Sequence, residues 1–129
     1  MTTLTKKDST QSVRGRQIVK KYLQKLDHHI DDLRRGTSER SLEIQDFAEM
    51  LHVHPRHLSN TLHEITGHSP CDLFEERLIL LSKELLLSTD LPIGNIALQL
   101  HYDPSNFTKF FKNYTGMTPK QFRRSEQQF

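Results

Sequence analysis

The fold is decided by the stretch IALQLHYDPSNFTKFFKNYTGMTPKQFR, residues 96–123, because an earlier stretch repeats its pattern. The earlier stretch is FAEMLHVHPRHLSNTLHEITGHSPCDLF, residues 47–74, and the two align without a gap at an offset of 49 residues. Both contain, at matching positions, an alanine, a Leu-His pair, a proline, and a Thr-Gly pair followed by another proline. Where identity is lost, apolar character is kept. This ordered set of matches indicates an internal duplication of one supersecondary unit.

Each copy predicts two helices joined by a tight turn. In the second copy, Ile93, Ile96 and Ala97 share one face of the first helix by the i, i+3, i+4 rule. Pro104 suits the first position of the next helix, where its missing N–H is not needed, and Gly116 suits a left-handed residue at its end. A helix, a tight turn and a second helix make a helix-turn-helix.

The second helix of each copy has one apolar and one polar face. The residues expected to face inward are Leu58, Leu62 and Ile65 in the first copy and Phe107, Phe111 and Tyr114 in the second. Between the copies, residues 70–87 predict one helix about 27 Å long, at about 1.5 Å per residue. Successive major-groove faces of B-DNA recur at roughly 34 Å, so such a helix suits two units about one turn apart.

The sequence therefore predicts an all-α fold of two helix-turn-helix subdomains joined by a long linker helix, with an N-terminal amphipathic helix. We expect a disordered start, the amphipathic helix and a linker in residues 1–40, and the first helix-turn-helix in residues 41–69. The linker helix is expected in residues 70–89, and the second helix-turn-helix with a terminal helix in residues 90–129. Three uses of the N-terminal helix stay open: packing on the first unit, pairing with a second copy or a partner, and contacting DNA.

Composition argues against several classes of protein. The chain has one cysteine and no apolar run near the roughly 18 residues that span a bilayer. Its first residues lack the apolar core of a secretory signal, so we expect a cytoplasmic protein without membrane association. A phosphate-binding glycine loop, paired catalytic acids and a Ser/His/Asp pattern are all missing, so we do not expect an enzyme. The histidines do not fall at metal-ligand spacings, so no metal or other cofactor is expected.

Charge is distributed unevenly along the chain, although the net charge is only +2. Residues 1–40 carry ten lysines and arginines against five acidic residues, and residues 92–129 carry five against two. Residues 41–91 carry three against nine. We therefore expect the positive charge of any phosphate-facing surface to differ between the two units.

Residues 96–123 resemble the signature of the AraC/XylS family of bacterial transcription regulators, in which an aromatic-rich helix precedes Gly-x-[Ser/Thr]-Pro and an aromatic-Arg pair. The family's junction into its second unit is similar to LLLSTDLPI, residues 85–93. Arg77 with Ser82 resembles its linker helix, where alanine is more usual at the second position. The resemblance covers about residues 41–124 and implies that the second helix of each unit enters the major groove of DNA.

By this resemblance, DNA contacts are expected on the outward faces of the two second helices. The candidates are Arg56, His57, Ser59 and Asn60 in the first unit and Ser105, Asn106, Thr108, Lys109 and Lys112 in the second. Arginine pairs with guanine, asparagine with adenine, and lysine reaches guanine acceptors. Phosphate contacts are expected from Lys112, from Arg123 and from the start of the last helix at Thr118. A plain solvated helix face is the alternative interpretation of the same polar residues.

The resemblance also implies partners and a role. Double-stranded DNA is the expected partner, with contact to RNA polymerase and activation as the family's usual outcome. One chain supplies both units, so we expect a monomer, or a weak dimer through the N-terminal helix. The alternatives are a protein-interaction module that kept the fold and lost DNA binding, and the C-terminal DNA-binding part of a longer ligand-responsive regulator. Since the second unit has more cations, we expect it to dominate DNA affinity.

One departure from the family concerns the two turns. The family usually has glycine in the turn of the second unit and often a small residue in the first, whereas this chain has His101 and His52. If the backbone there is left-handed, a residue other than glycine costs about 1 kcal/mol. His101→Gly is therefore expected to raise stability without loss of DNA affinity.

Overall fold

The computed structural model describes the backbone of residues 2–127 and the side chains of residues 13–127. The helices in this range are α1 (Thr2–Arg35), α2 (Ile44–Met50), α3 (Pro55–Thr66), α4 (Pro70–Ser88), α5 (Ile93–Gln99), α6 (Pro104–Thr115) and α7 (Pro119–Glu126). The described residues contain no strand, which confirms the predicted all-α class. None of the helices in the described part of the chain is both long and apolar enough to cross a membrane.

The chain forms two compact units, each built around one helix-turn-helix. Within the described residues, the first unit comprises residues 2–29 and Leu42–Phe74 and contains α2 and α3. The second comprises Ile30–Ser41 and residues 75–127 and contains α5, α6 and α7. The two long helices, α1 and α4, each contribute residues to both units rather than forming separate parts.

The core of the first unit joins α1 to the helix-turn-helix. Tyr22 and Leu26 of α1 are buried, and the Tyr22 ring packs edge-on against Phe47 of α2 at 5.2 Å between centroids. Leu58 and Leu62 of α3 are fully buried, as their spacing predicted. Packing on the first unit is therefore confirmed as one use of the N-terminal helix, and the other two uses stay predictions.

The core of the second unit is formed mainly by α4, α5 and α6. Its buried apolar residues include Leu78, Leu81, Leu85, Ile96, Leu100, Phe107 and Phe111. The last turn of α1 also belongs to this unit, where Leu33 is fully buried. The Gln99 side-chain amide donates to the carbonyls of Leu33 and Arg34, at 3.1 and 2.9 Å, and so satisfies the end of α1 before the left-handed Gly36.

Two expectations differ from the structure. Helix α1 begins at Thr2 and is therefore longer than the amphipathic helix expected from sequence; residues 2–12 contain no proline that would interrupt it. Tyr114 was expected to face inward but is 47% exposed. Phe110 packs inward instead: its ring stacks on that of Tyr102, with 5.4 Å between the centroids. The exposed Tyr114 ring lies against Phe110, with 5.8 Å between the centroids.

The two turns have the same backbone geometry, which extends the duplication from sequence to structure. His52 and His101 have φ of 57° and 62°, so both are left-handed. In the first turn the Val53 N–H donates to the Ala48 carbonyl at 3.0 Å, and the second turn makes the same bond at 2.8 Å. The suspected strain is therefore present in both units.

The shared Thr-Gly pair closes the second helix in both units. The Thr66 hydroxyl donates to the Leu62 carbonyl at 2.6 Å and accepts the N–H of His68 at 3.1 Å. Thr115 makes the equivalent bonds in the second unit, at 2.8 and 3.2 Å. The following residues, Gly67 and Gly116, have φ of 77° and 85°. The pair is thus a helix stop that needs both a hydroxyl and a glycine.

His52→Gly should raise the free energy of unfolding by about 0.5–1 kcal/mol, because glycine adopts positive φ without a Cβ clash. His101→Gly should gain less, since it also loses a 2.8 Å hydrogen bond from Nε2 to the Ser38 carbonyl, a bond worth about 0.5–1.5 kcal/mol. This modifies the expectation from sequence for His101. Urea unfolding followed by circular dichroism measures both variants, and a destabilised His52→Gly would contradict the strain argument.

Candidate nucleic-acid interface

Helix α6 begins at a well-formed cap. The Asp103 carboxylate accepts the Ser105 hydroxyl at 2.6 Å and the backbone N–H groups of Ser105 and Asn106 at 3.1 and 3.4 Å. These donors, the Ser105 hydroxyl first, hold the pKa of Asp103 below its ordinary value. The carboxylate therefore stays ionised and fixes the first turn of the helix.

The outward face of α6 carries free polar side chains. Asn106, Lys109 and Lys112 are exposed, and none of their side chains makes a hydrogen bond or ion pair with another described residue. Phe107 and Phe111, on the opposite face, are fully buried. The helix is thus anchored by its aromatic side and presents unoccupied donors and acceptors on the other.

Two hydroxyls on this face are already used within the chain. Ser105 donates its hydroxyl proton to Asp103, and the hydroxyl of the half-buried Thr108 donates to the Pro104 carbonyl at 3.1 Å. Both oxygens can therefore only accept a further hydrogen bond. Their chemistry suits exocyclic amino groups of bases and, for Thr108, apolar contact through the methyl group.

Helix α3 presents the matching face in the first unit. Arg56, His57 and Asn60 are exposed, and Arg56 and Asn60 make no hydrogen bond or ion pair through their side chains with another described residue. Ser59 is half-buried, and together with Asn60 it lines a shallow groove that extends to Ser69. All four candidates of the first unit therefore lie on α3 outside its buried face.

The two faces differ in charge, although they occupy equivalent positions. Arg56 is the only lysine or arginine in α3, whereas α6 has Lys109 and Lys112. The duplication pairs Asn60 with Lys109 and His63 with Lys112. The second unit thus has the more cationic face, as its sequence predicted.

Arg123, an expected phosphate contact, uses its side chain for bonds within the chain. Its guanidinium donates to the carbonyls of Leu86 at 2.9 Å, Leu91 at 2.8 Å and Thr89 at 3.3 Å. Arg123 therefore ties α7 to the end of α4 and the loop that follows it. The neighbouring Arg124 is exposed and is the better candidate for a phosphate. The aromatic-Arg motif predicted an arginine at this position but not the direction in which its side chain points.

Thr118 has a structural role that leaves part of its chemistry available. Its hydroxyl oxygen accepts the Gln121 N–H at 3.1 Å, and its own N–H donates to the Gln121 side chain at 2.9 Å. This capping box satisfies two polar groups at the start of α7. Only the hydroxyl proton of Thr118 is left to donate to a phosphate.

Several histidines have structural roles in the loops and turns. The buried His29 accepts the Leu42 N–H through Nε2 at 3.1 Å, and His54 caps α3 by accepting the Arg56 N–H at 3.1 Å. His52 and His101 occupy the two left-handed turn positions. Among the described residues, no three His, Cys, Asp or Glu side chains are grouped so that they could hold a metal ion.

Comparison with protein families gives a match over most of the two units. A family model described as "Helix-turn-helix domain" matches residues 47–125. The chain belongs to the AraC-type helix-turn-helix family of transcription regulators. It is therefore a DNA-binding transcription regulator domain of that family.

The chain is also similar to individual transcription regulators and to solved structures. The chain is 30% identical over 89 residues to the HTH-type transcriptional regulator YtdP of Bacillus subtilis (strain 168), covering 68% of this chain and 12% of YtdP. Among solved structures, it is similar to the C-terminal domain of AraT, a response regulator from Geobacillus stearothermophilus. That match has 33% identity, a TM-score of 0.66, and covers 78% of this chain and 84% of the other.

A second solved structure shares the fold at lower identity. It is the DNA-binding domain of AdpA, a global transcriptional factor, in complex with a target DNA, with a TM-score of 0.68 and 16% identity. The match covers 84% of this chain and 90% of that chain. The present chain spans between 12% and 40% of the length of the curated relatives that it matches.

Arg123→Ala should lower the free energy of unfolding by about 2–3 kcal/mol, because it leaves three carbonyls without their charged donor. Arg124→Ala, one residue away, should change it by less than about 0.5 kcal/mol and instead weaken DNA binding. Thermal unfolding and DNA titration of both variants separate the two roles. A stable Arg123→Ala variant with weakened DNA binding would restore the phosphate role for Arg123.

Proposed function

We propose that this AraC-type domain binds a two-part DNA site, with α3 in one major-groove segment and α6 in the next. The observation that carries the proposal is the pair of equivalent outward faces with unoccupied polar side chains. Arg56 and Asn60 belong to the first face, and Asn106 and Lys109 to the second. Side chains that make no bonds within the protein keep their donors and acceptors for a partner at no cost in broken contacts.

Each side chain suits a particular contact. Arg56 and Lys109 suit guanine, and Asn60 and Asn106 suit adenine, whose edges present matching donors and acceptors. His57 and Ser59 lie beside them on α3, while Ser105 and Thr108 accept from base amino groups. Phosphates are contacted by Lys112, Thr118 and Arg124. Base contacts set the sequence preference, and phosphate contacts set the register and much of the affinity.

The biological role extends beyond the contacts themselves. We infer that DNA binding activates transcription through contact with RNA polymerase in the bacterial cytoplasm. Since the chain covers less than half of its curated relatives, it also fits the DNA-binding part of a longer ligand-responsive regulator. One chain supplies both units, which favours binding as a monomer, with a weak dimer through α1 as the alternative.

A protein-interaction module is the second candidate. Leu80 and Leu87 lie seven residues apart on α4, on one face of the helix, and are 61% and 50% exposed. Together they provide apolar surface on one side of α4 for contact with another protein. The acidic helix-turn-helix of the first unit would then contribute charge to that partner rather than bind DNA.

Selection of binding sites from random duplex DNA, followed by titration at two salt concentrations, tests the proposal. We expect enrichment of a two-part motif whose halves are spaced by about ten base pairs, with affinity that falls steeply as salt rises. Enrichment of no motif, with only weak binding, would contradict the proposal and favour the interaction module.

On the selected duplex, Lys109→Ala should weaken binding more than Arg56→Ala. Lys109 belongs to the unit with more cations, and the neutralisation of phosphates by these cations provides most of the DNA affinity. Arg56 has no such neighbours in α3, and its loss should mainly relax the sequence preference of the first half-site. Binding constants for both variants, with melting temperatures as the control for folding, check this order. A larger loss for Arg56→Ala would show that the first unit dominates.

A further inference from the structure

Helix α1 approaches α3 closely at a glycine. Gly15 is buried, and a Cβ atom built there would lie 3.2 Å from Ile65 Cδ1 of α3 and 3.5 Å from Thr61 Cγ2. The distance to Ile65 is shorter than most Cβ contacts in proteins, whereas the distance to Thr61 is an ordinary van der Waals contact. The absence of a side chain at Gly15 therefore lets α1 approach α3 closely, and the neighbouring residues of α1 lie beside the proposed DNA-binding face.

One cation of α1 lies directly on the flank of α3. Arg14 and Ile18 of α1 line a shared cleft of about 440 Å³ with His57, Thr61 and Glu64 of α3. His57 and Glu64 are exposed, and by helical periodicity they border the outward face that carries Arg56 and Asn60. Arg14 is thus next to the edge of the face that enters the groove.

The same flank of α1 carries further cations. Arg14, Ile18, Lys21 and Lys25 follow the i, i+4, i+7, i+11 spacing of a single helical stripe, and its three cations are exposed. We call these three, Arg14, Lys21 and Lys25, the basic flank. Arg16 and Lys20 are also exposed but lie on the other side of the helix. No acidic residue occurs between positions 13 and 26, and none of these cations has an ion pair with another described residue.

The helix-turn-helix of the first unit lacks such charges of its own. Arg56 is the only lysine or arginine in residues 41–69, while Glu43, Asp46, Glu49 and Glu64 are acidic. A helix in the major groove is flanked by phosphates on both sides, and neutralising them supplies much of the affinity. Without added cations, this unit would repel the backbone of the groove that it enters.

We propose that the basic flank of α1 contacts phosphates beside the groove entered by α3 and so provides the anchoring that the first helix-turn-helix lacks. This rests on the proposed DNA binding by α3. Arg14 is the nearest contact, because it shares the cleft with His57 and Glu64, and Lys21 extends the contact along the strand. The N-terminal helix then has two functions: its buried side stabilises the first unit, and its basic flank binds DNA.

The double variant Arg14→Gln/Lys21→Gln tests the proposal against the matched control Arg16→Gln/Lys20→Gln, which removes the same charge from the other side of the same helix. The selected duplex is titrated with each variant at several salt concentrations. Each lost phosphate contact lowers the slope of log K against log salt by about 0.9, so the first variant should lose about 2 and the control close to none. A charge-conserving variant, Arg14→Lys/Lys21→Arg, should retain the slope, and melting temperatures check folding.

Three results would overturn the inference. An unchanged slope for Arg14→Gln/Lys21→Gln, with a wild-type chain that binds its duplex, would remove the phosphate contact and leave the proposed function intact; the basic flank would then serve another partner. Equal losses of slope in both double variants would show that the positive charge of α1 acts as a whole, with no side of the helix preferred. A wild-type chain that binds no duplex would overturn the proposed function and this inference together.

Discussion

Both units depend on a left-handed residue in the turn between their two helices. At φ of 57° and 62°, His52 and His101 reverse the chain within a few residues and bring the next amide onto an alanine carbonyl of the preceding helix. This bond fixes where the second helix starts and therefore which of its faces packs on the first. A residue with a Cβ is strained in this conformation, so the rest of each unit must compensate. The aromatic core around Phe107 and Phe111 and the α1 packing at Tyr22 provide that compensation.

The second helices divide their polar groups between internal and external use. Two hydroxyls are used within the helix: Asp103 accepts the hydroxyl of Ser105 at the cap, and the hydroxyl of Thr108 donates to the Pro104 carbonyl. Other side chains, such as those of Asn106 and Lys109, have no bond or ion pair within the described residues. The first group makes the helix rigid, and the second then projects from a fixed backbone. Rigidity matters because a preorganised donor loses little conformational entropy when it binds a base edge.

Sequence predicted the elements of this fold better than the directions of its side chains. The duplication, the linker helix and the buried leucines and phenylalanines follow from local periodicity and from proline and glycine positions, and the structure confirms them. Arg123 and Tyr114 illustrate the limit. The direction of an arginine depends on which carbonyls other elements leave unsatisfied, here at the end of α4, and no local pattern records them. Tyr114 follows the apolar spacing, yet Phe110 already fills that side of the helix by stacking on Tyr102.

The two units share their backbone geometry but differ in charge, and this difference has a physical reason. Turn conformation, caps and buried apolar residues are coupled through packing, so a change in one of them strains the others. Exposed positions such as Asn60 and its equivalent Lys109 are not coupled in this way and can differ freely. One unit is thus cationic and the other acidic, although both have the same fold. The proposed DNA binding by the acidic unit requires cations from outside its helix-turn-helix, and Arg14 of α1, which lines a cleft with His57 and Glu64 of α3, is such a cation.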